Sequence, residues 1–321
     1  MELKDSHGRR FESLRISVTG RCNLACQYCR PGKFPPTGSV ESTLSFGEIT
    51  RLANIFAGLG VRSVRLTGGE PLLRKGLEDL VAVLKQIPGL DEVTLTTNGI
   101  LLPLFARPLR SAGLDRINLS LDSLRPGTFE ILTGAPSLPQ VLAGLQSIQQ
   151  AGFTNTRLNA VVMRGINDDQ LCDLTRFAHQ VGALMRFIEF MPIGVEKTFW
   201  DQHFVSAAEM IDHLQPLLSG GVTVVLGGAG PARYLPLRDG GQVGIISGVS
   251  RPFCRTCNRL RLTAAGGLRL CLASPLEVDL RGPLRRGASD EEISCIIVGA
   301  VWHKPAGAEY DRSVSMCAVG G

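Results

Sequence analysis

No apolar run in this sequence is long enough to cross a bilayer, and the opening Met1-Glu2-Leu3-Lys4-Asp5 lacks the apolar stretch of an export signal. Both absences predict a cytoplasmic protein with no membrane partner. Charge of one sign is also scarce. The net charge is +5 over 321 residues, and the arginines fall in separate short clusters rather than one basic tail. That argues against a nucleic-acid arm and leaves local anion binding. Only five histidines are present, His7, His179, His203, His213 and His303, at no metal-ligand spacing. They are expected on helix surfaces or in loops. There is no internal repeat.

Cysteine is what the chain does have. Without an export signal, its nine cysteines read as reduced thiols or metal ligands, because disulfides persist in oxidising compartments. Six of them form two trios, Cys22-x3-Cys26-x2-Cys29 near the start and Cys254-x2-Cys257-x13-Cys271 near the end. A closed structural metal site takes four ligands, so a trio suggests a cluster with one metal corner left open. Two such clusters facing one another would make a reaction chamber.

At 44% hydrophobic and 20% charged residues, the chain suits one large or two modest globular units. β-Branched runs at 14–18, 61–66, 92–97, 116–121, 156–163 and 183–190 predict strands. Between them, amphipathic stretches such as 45–59, 76–87, 140–151 and 168–181 predict helices. Ser45 with Glu48, and Ser206 with Glu209, have the spacing of a capping box. Strand–helix alternation of this kind predicts an α/β fold with a parallel sheet under covering helices. Six units are two short of a closed eight-unit barrel, so the expectation is a partial (β/α)6 TIM-like barrel over residues 1–225. After the breaker run Gly227-Gly228-Ala229-Gly230-Pro231 the texture becomes richer in Gly, Arg and Cys. Residues 226–321 are therefore expected to form a smaller C-terminal α+β unit closing the barrel mouth, with residues 281–286 (RGPLRR) as a basic loop.

Barrels of this type carry their chemistry just after the strands. The first trio follows the first predicted strand, and Gly68-Gly69-Glu70-Pro71 follows the second. Thr97-Asn98-Gly99 ends the third, Ser120 lies near the end of the fourth, and Met191 follows the sixth. Three thiolates on a four-iron cube leave one iron free to chelate an amine and a carboxylate. The methionine end of S-adenosylmethionine (SAM) offers both, and one electron can then cleave its C–S bond to a 5′-deoxyadenosyl radical. Tyr28 can pack against the adenine, and the GGEP turn supplies main-chain polar groups for the amine. A zinc knuckle with a fourth ligand elsewhere is the competing reading of the trio alone.

Residues 14–31 (LRISVTGRCNLACQYCRP) resemble the opening of the radical SAM superfamily, and specifically of the MoaA family, the GTP 3′,8-cyclases of molybdenum cofactor biosynthesis. The resemblance continues through 65–74 (RLTGGEPLLR), 96–99 (TTNG), 116–124 (RINLSLDSL), 186–192 (RFIEFMP) and the second cysteine region, and the chain ends in Gly320-Gly321 as that family does.

The second trio has no fourth Cys or His at close spacing. Cys295 lies in the apolar run 293–298 (ISCIIV) and reads as a buried free thiol, and Cys172 as a core residue of a helix. Arg259 and Arg261 alternate as on a strand, so both guanidiniums point to one side, and Arg15 on the first strand has the same potential. Guanidinium forks suit phosphate oxygens. Together they favour a polyphosphate substrate.

The resemblance implies that Cys22, Cys26 and Cys29 hold the SAM [4Fe–4S] cluster, with Tyr28, Gly69, Ser120 and Met191 lining the SAM site. It implies that Arg15, Arg65, Thr96, Arg157, Arg259 and Arg261 contact GTP, and that Cys254, Cys257 and Cys271 hold an auxiliary [4Fe–4S] cluster. The Gly320-Gly321 tail would reach the active site and act in the chemistry. The implied reaction removes hydrogen from ribose C3′ and closes a bond to guanine C8, giving 3′,8-cyclo-7,8-dihydro-GTP. The implied partners are a MoaC-type cyclic pyranopterin monophosphate synthase downstream, a flavodoxin- or ferredoxin-type reductant, and a second copy in a homodimer. Four positions depart from the family: Arg157 replaces a lysine, Gly20 an aspartate, Arg30 a methionine and Ala265 an aspartate. Two other readings compete, a radical SAM enzyme whose auxiliary cluster serves a peptide substrate, and a non-enzymatic zinc or nucleic-acid binding protein.

Overall fold

The computed structural model describes residues 2–29, 43–220, 225–226, 231–310, 312 and 316. Its parallel strands are β1 (Ser13–Ser17), β2 (Ser63–Thr67), β3 (Glu92–Thr97), β4 (Arg116–Ser120), β5 (Arg157–Val162) and β6 (Leu184–Glu189), paired in chain order. Helices α1 (Phe46–Gly58), α2 (Leu77–Leu84), α3 (Leu102–Ser111), α4 (Pro126–Thr133), α5 (Leu138–Gln150) and α6 (Leu171–Gln180) lie between these strands. After β6 come α7 (Lys197–His203) and α8 (Ala207–Leu214). The strands β7 (Val225–Leu226), β8 (Arg233–Pro236), β9 (Gln242–Ile246), β10 (Arg259–Leu262), β11 (Gly267–Arg269) and β12 (Glu277–Asp279) follow, then α9 (Arg281–Arg285) and α10 (Asp290–Trp302).

The predicted α/β fold with a parallel sheet is what the chain adopts. Its last third adds strands to both edges of the sheet. β9 pairs parallel with β6, and β10 pairs parallel with β1. The run β10-β1-β2-β3-β4-β5-β6-β9 is thus parallel throughout, and β11–β12 and β7–β8 extend it in antiparallel fashion. The two strands missing from a six-unit count therefore come from the C-terminal third. No pairing joins β7 to β12 among the described residues.

Side chains alternate across a strand. In β1, Leu14 and Ile16 are buried on one face while Arg15 takes the other. The same alternation sets Val64 and Leu66 against Arg65, and Leu158 and Ala160 against Arg157 and Asn159. The apolar face packs under helices whose stripes complete one continuous core, including Ile49, Leu52 and Phe56 of α1. The other face stays polar, and this is the face that lines the interior.

Both predicted capping boxes form, at Ser45 on α1 and Ser206 on α8. Three expectations need correction: the loop at 281–286, the burial of Cys295 and the core placement of Cys172. Residues 281–285 are a short helix rather than a loop, started by the Asp279 carboxylate, which accepts the Gly282 N–H at 3.1 Å. Cys295 is exposed, not buried. In α10, Ile293, Ile297 and Val301 recur at the helical period and take the core face, and a residue two positions from Ile293 points nearly opposite. Cys172, on α6, is half-buried with its thiol donating to the His213 carbonyl at 3.2 Å. Among the described residues no helix is long and apolar enough to cross a membrane. The predicted tail glycines Gly320 and Gly321, together with Arg30, Cys317 and most of the breaker run at 227–230, lie outside the described residues.

Candidate active site

One cavity gathers both cysteine trios. Cys22, Cys26 and Cys29 follow the C-terminal end of β1. Their loop docks on the end of α4, where the Ala25 and Gln27 N–H groups donate to the Thr133 and Leu132 carbonyls, each at 2.9 Å. Cys254 and Cys257 precede β10, which runs parallel to β1 with Arg259 opposite Ser13. The antiparallel turn into β11 brings Cys271 back beside them. The second trio is thus delivered at the N-terminal end of the strands and the first at the C-terminal end. The five residues of β1, about 16 Å of strand, lie between.

The first loop is held by close main-chain contact with the GGEP turn. Gly69 N–H donates to the Thr19 carbonyl and Glu70 N–H to the Arg21 carbonyl, both at 2.7 Å. A Cβ on Gly69 would lie 2.2 Å from the Arg21 carbonyl oxygen, and one on Gly68 2.6 Å from that of Thr19. These glycines are required by space. The Glu70 carboxylate is buried beneath the turn and accepts from Leu72 N–H at 3.0 Å, Thr97 Oγ1 at 2.7 Å and Asn98 N–H at 2.7 Å. Burial pushes it up to about 7 in spite of those donors.

Tyr28 donates its hydroxyl to Asp122 at 2.6 Å, and the other Asp122 oxygen accepts the Val161 N–H at 2.8 Å. Burial raises the Asp122 carboxyl to about 6. Burial, and then the nearby Asp122, also push the Cys26 thiol up. Cys257 goes the other way. Burial raises it, but the cations of Lys304 and Arg259 outweigh that and bring it to about 7. Metal ligands are thiolates, so its surroundings favour Cys257 as a ligand, whereas burial raises the Cys254 thiol.

Do these cysteines fit a cluster? All six line the same cavity. Among the described residues, no three Cys, His, Asp or Glu side chains converge on one point as a single metal ion requires. Three thiolates on separate corners of an iron–sulfur cube need no such convergence. Each trio supplies three thiol donors, the number that a [4Fe–4S] cube with one open corner takes.

Between the trios the interior is strongly cationic. Arg15 stands in register with Arg261 on one side and Arg65 on the other, and Arg65 with Thr94. Arg186 donates to the side-chain oxygens of Asn159 and Asn118, each at 2.9 Å. Burial, then the charges of Arg261, Arg65, Arg259 and Arg186, push Arg15 well down, and Arg65 and Arg261 are pushed to about 9 by burial and neighbouring arginines. Arginine does not deprotonate at neutral pH. The downward push reflects first the burial of these charges and then their mutual repulsion, and an anionic ligand would offset both.

Of the residues predicted for the site, Tyr28, Gly69, Ser120, Met191, Arg15, Thr96, Arg259, Arg261 and all six cysteines line the cavity. Arg65 and Arg157 do not. Arg157 opens β5, so it lies toward the N-terminal end of the strands, pushed down by burial and then by Arg116. Asp122, Asn159, Lys304 and Tyr310 also line the cavity and went unnoticed in the sequence. Asp122 carried a signal, as it sits two residues after Ser120 at a strand end. Lys304 and Tyr310 carried none.

Residues 16–178 match the Radical SAM superfamily and residues 183–310 match Molybdenum Cofactor Synthesis C. The chain is 47% identical to the GTP 3′,8-cyclase of Heliobacterium modesticaldum over 304 residues, which is 94% of this chain and 93% of that protein. It is 44% identical to that of Pelotomaculum thermopropionicum over 311 residues, 94% of each chain. Among solved structures, Streptococcus suis SuiB bound to S-adenosylmethionine superposes with a TM-score of 0.64 at 16% identity, covering 98% of this chain and 79% of that one, a likeness of fold. With cysteine trios at both ends of one arginine-lined cavity and relatives that match along nearly its whole length, the chain belongs to the radical SAM superfamily and, within it, to the GTP 3′,8-cyclase family.

Proposed function

We propose that this protein is a GTP 3′,8-cyclase, a lyase that converts GTP to 3′,8-cyclo-7,8-dihydro-GTP in molybdenum cofactor biosynthesis. Supporting this reading are the matched relatives and, above all, one observation: buried arginines lie between two cysteine trios in a single cavity. A radical SAM protein works with SAM and a [4Fe–4S] cluster. Cys22, Cys26 and Cys29 would hold that cluster, and Cys254, Cys257 and Cys271 an auxiliary one. When bound, the first cluster and SAM supply a hydrogen-abstracting 5′-deoxyadenosyl radical.

The chain's own residues do the rest. Gly69, Ser120 and Met191 line the SAM pocket with Tyr28, whose ring is held by Asp122. Arg15, Arg259 and Arg261 take the triphosphate with forked hydrogen bonds, Arg65 adds charge from the strand beside Arg15 and Arg157 from the start of β5, and Thr96 contacts the nucleotide. Anchoring the triphosphate at these arginines would turn ribose C3′ toward the SAM end, and an auxiliary cluster held by Cys254, Cys257 and Cys271 would supply a further binding point for the base. The sheet and its helices keep water away from the reacting carbon. Functionally the chain divides near residue 225 into a radical SAM part and an auxiliary-cluster part, whose Gly320-Gly321 tail acts in the chemistry. A flavodoxin- or ferredoxin-type protein delivers the electron, a MoaC-type synthase consumes the product, and the working form is a cytoplasmic homodimer.

Anaerobic turnover tests the reading. Reconstituted protein with dithionite, SAM and GTP is expected to yield 5′-deoxyadenosine and a nucleotide with the mass of GTP but a shifted retention time. SAM cleavage with GTP unchanged would leave the barrel chemistry standing and overturn the substrate.

A further inference from the structure

Arg9 and Lys304 belong to none of the motifs above, yet both are nearly buried charges, 8% and 3% exposed. A buried cation is tolerated where its donors are matched by acceptors. Arg9 Nε donates to Asp5, 3% exposed, at 2.6 Å. Asp5 is fixed in turn by the backbone N–H groups of His7 and Arg9, at 3.0 and 2.9 Å. The other Arg9 donors go to main-chain carbonyls. Nη1 reaches Cys254 at 2.8 Å, and Nη2 reaches Pro305 at 2.7 Å and Lys304 at 3.2 Å. Lys304 Nζ donates to the carbonyl of Arg259 at 2.9 Å and to that of Leu270, and sits 5.0 Å from the Phe11 ring.

The accepting carbonyls share one location. One belongs to Cys254, one to Arg259, two residues after Cys257, and one to Leu270, immediately before Cys271. Each cysteine of the second trio is therefore tied, at its own main chain or within two residues of it, to a buried cation. The two cations are joined to each other through the Lys304 carbonyl. The ties come from residues remote in sequence, before β1 and after α10.

We propose that Asp5, Arg9 and Lys304 form a clasp that sets the spacing of Cys254, Cys257 and Cys271 before a cluster binds and holds a fixed positive charge, that of Lys304, beside it. These are positioning residues, acting through the cysteine main chain. The inference rests on reading the second trio as the holder of an auxiliary [4Fe–4S] cluster. A cube with three thiolates is anionic, and nearby fixed positive charge favours its more negative, reduced form, so the clasp raises its potential as well as its retention.

The test compares full-length wild type with Lys304→Met, Arg9→Lys and the conservative Lys304→Arg after anaerobic reconstitution and a chelator challenge. Wild type is expected to keep about eight irons per chain, and Lys304→Met and Arg9→Lys to fall toward about four. The first cluster, read by its SAM-dependent EPR change, remains in the same chains as the internal control. Any second cluster that Lys304→Met retains has a lower reduction potential, and Lys304→Arg restores iron content and potential. In cluster-free protein, alkylation of Cys254, Cys257 and Cys271 accelerates on the order of tenfold in Arg9→Lys, which keeps the positive charge but loses the fork, while Cys22, Cys26 and Cys29 keep their wild-type rates. Unchanged iron, potential and alkylation in both variants overturns the clasp alone. Loss of both clusters together overturns it in favour of a general folding role. A wild type that holds only about four irons overturns the reading of the second trio, and the clasp with it.

Discussion

A methyl group on Gly69 has nowhere to go, because its carbon would sit inside the van der Waals shell of the Arg21 carbonyl. Gly69→Ala must separate the two loops that meet beside the first cysteine trio. It is expected to cost about 1–3 kcal/mol of stability and to weaken SAM binding on the order of tenfold or more, measured by denaturant titration and by calorimetry on the reconstituted protein. Glu70 beneath it makes a pH prediction. Its folded value of about 7 lies above the ordinary 4.5, so the native state holds the extra proton between those limits. The contribution is full below about 4.5 and is lost as pH rises through 7. Glu70→Gln removes that slope. It also leaves one of three buried donors facing an amide NH2, at about 1–3 kcal/mol. Urea midpoints of both proteins from pH 5 to 8 check the two effects, and parallel slopes would count against the assignment.

At the scale of elements, caps and periodicity decide which stretches become helices. α10 begins at Ser289, whose hydroxyl accepts the Glu292 N–H at 3.2 Å while the Glu292 carboxylate accepts the Ser289 N–H at 2.7 Å. This helix seals the core beside α1 through Ile293, Ile297 and Val301, and it leads directly into Lys304. Ser289→Ala is expected to cost about 1 kcal/mol, seen as a lower urea midpoint with an unchanged slope. The signal for this helix was present in the sequence but weak. An apolar run such as ISCIIV fits a strand or a helix equally by composition, and the cap in front of it settles the matter.

The whole molecule concentrates like charge inside a barrel, which works against its own folding. Arg15 is surrounded by Arg65, Arg186, Arg259 and Arg261 and is pushed down by burial and by each of them. Replacing it with a side chain of similar length and no charge relieves that repulsion. Arg15→Met is therefore expected to raise the denaturation midpoint, by about 1 kcal/mol, while weakening GTP binding at least about tenfold. Thermal unfolding with and without GTP measures both, since a bound nucleotide raises the melting temperature through its affinity for the native state. A variant that is less stable, or one that keeps the full GTP-induced shift, would contradict this view of the arginines.

The local features were legible in the sequence because each rests on contacts within one turn or one strand. The six central strands, the capping boxes at Ser45 and Ser206, the glycine turn beside the first trio and the shared side of Arg259 and Arg261 are all of this kind. By itself the sequence also determined the kind of chemistry, since two cysteine trios with one ligand short of closure are a statement about donors and not about fold. Only the tertiary structure decided where those trios stand. Parallel pairing of β10 with β1 brings the second trio to the opposite end of the strands from the first, and parallel pairing of β9 with β6 completes the other edge. It also recruited Asp122, Arg9 and Lys304, whose partners lie tens to hundreds of residues away. Periodicity reports which face of an element is buried. The pairing of distant elements depends on their summed packing and register, which no local pattern carries.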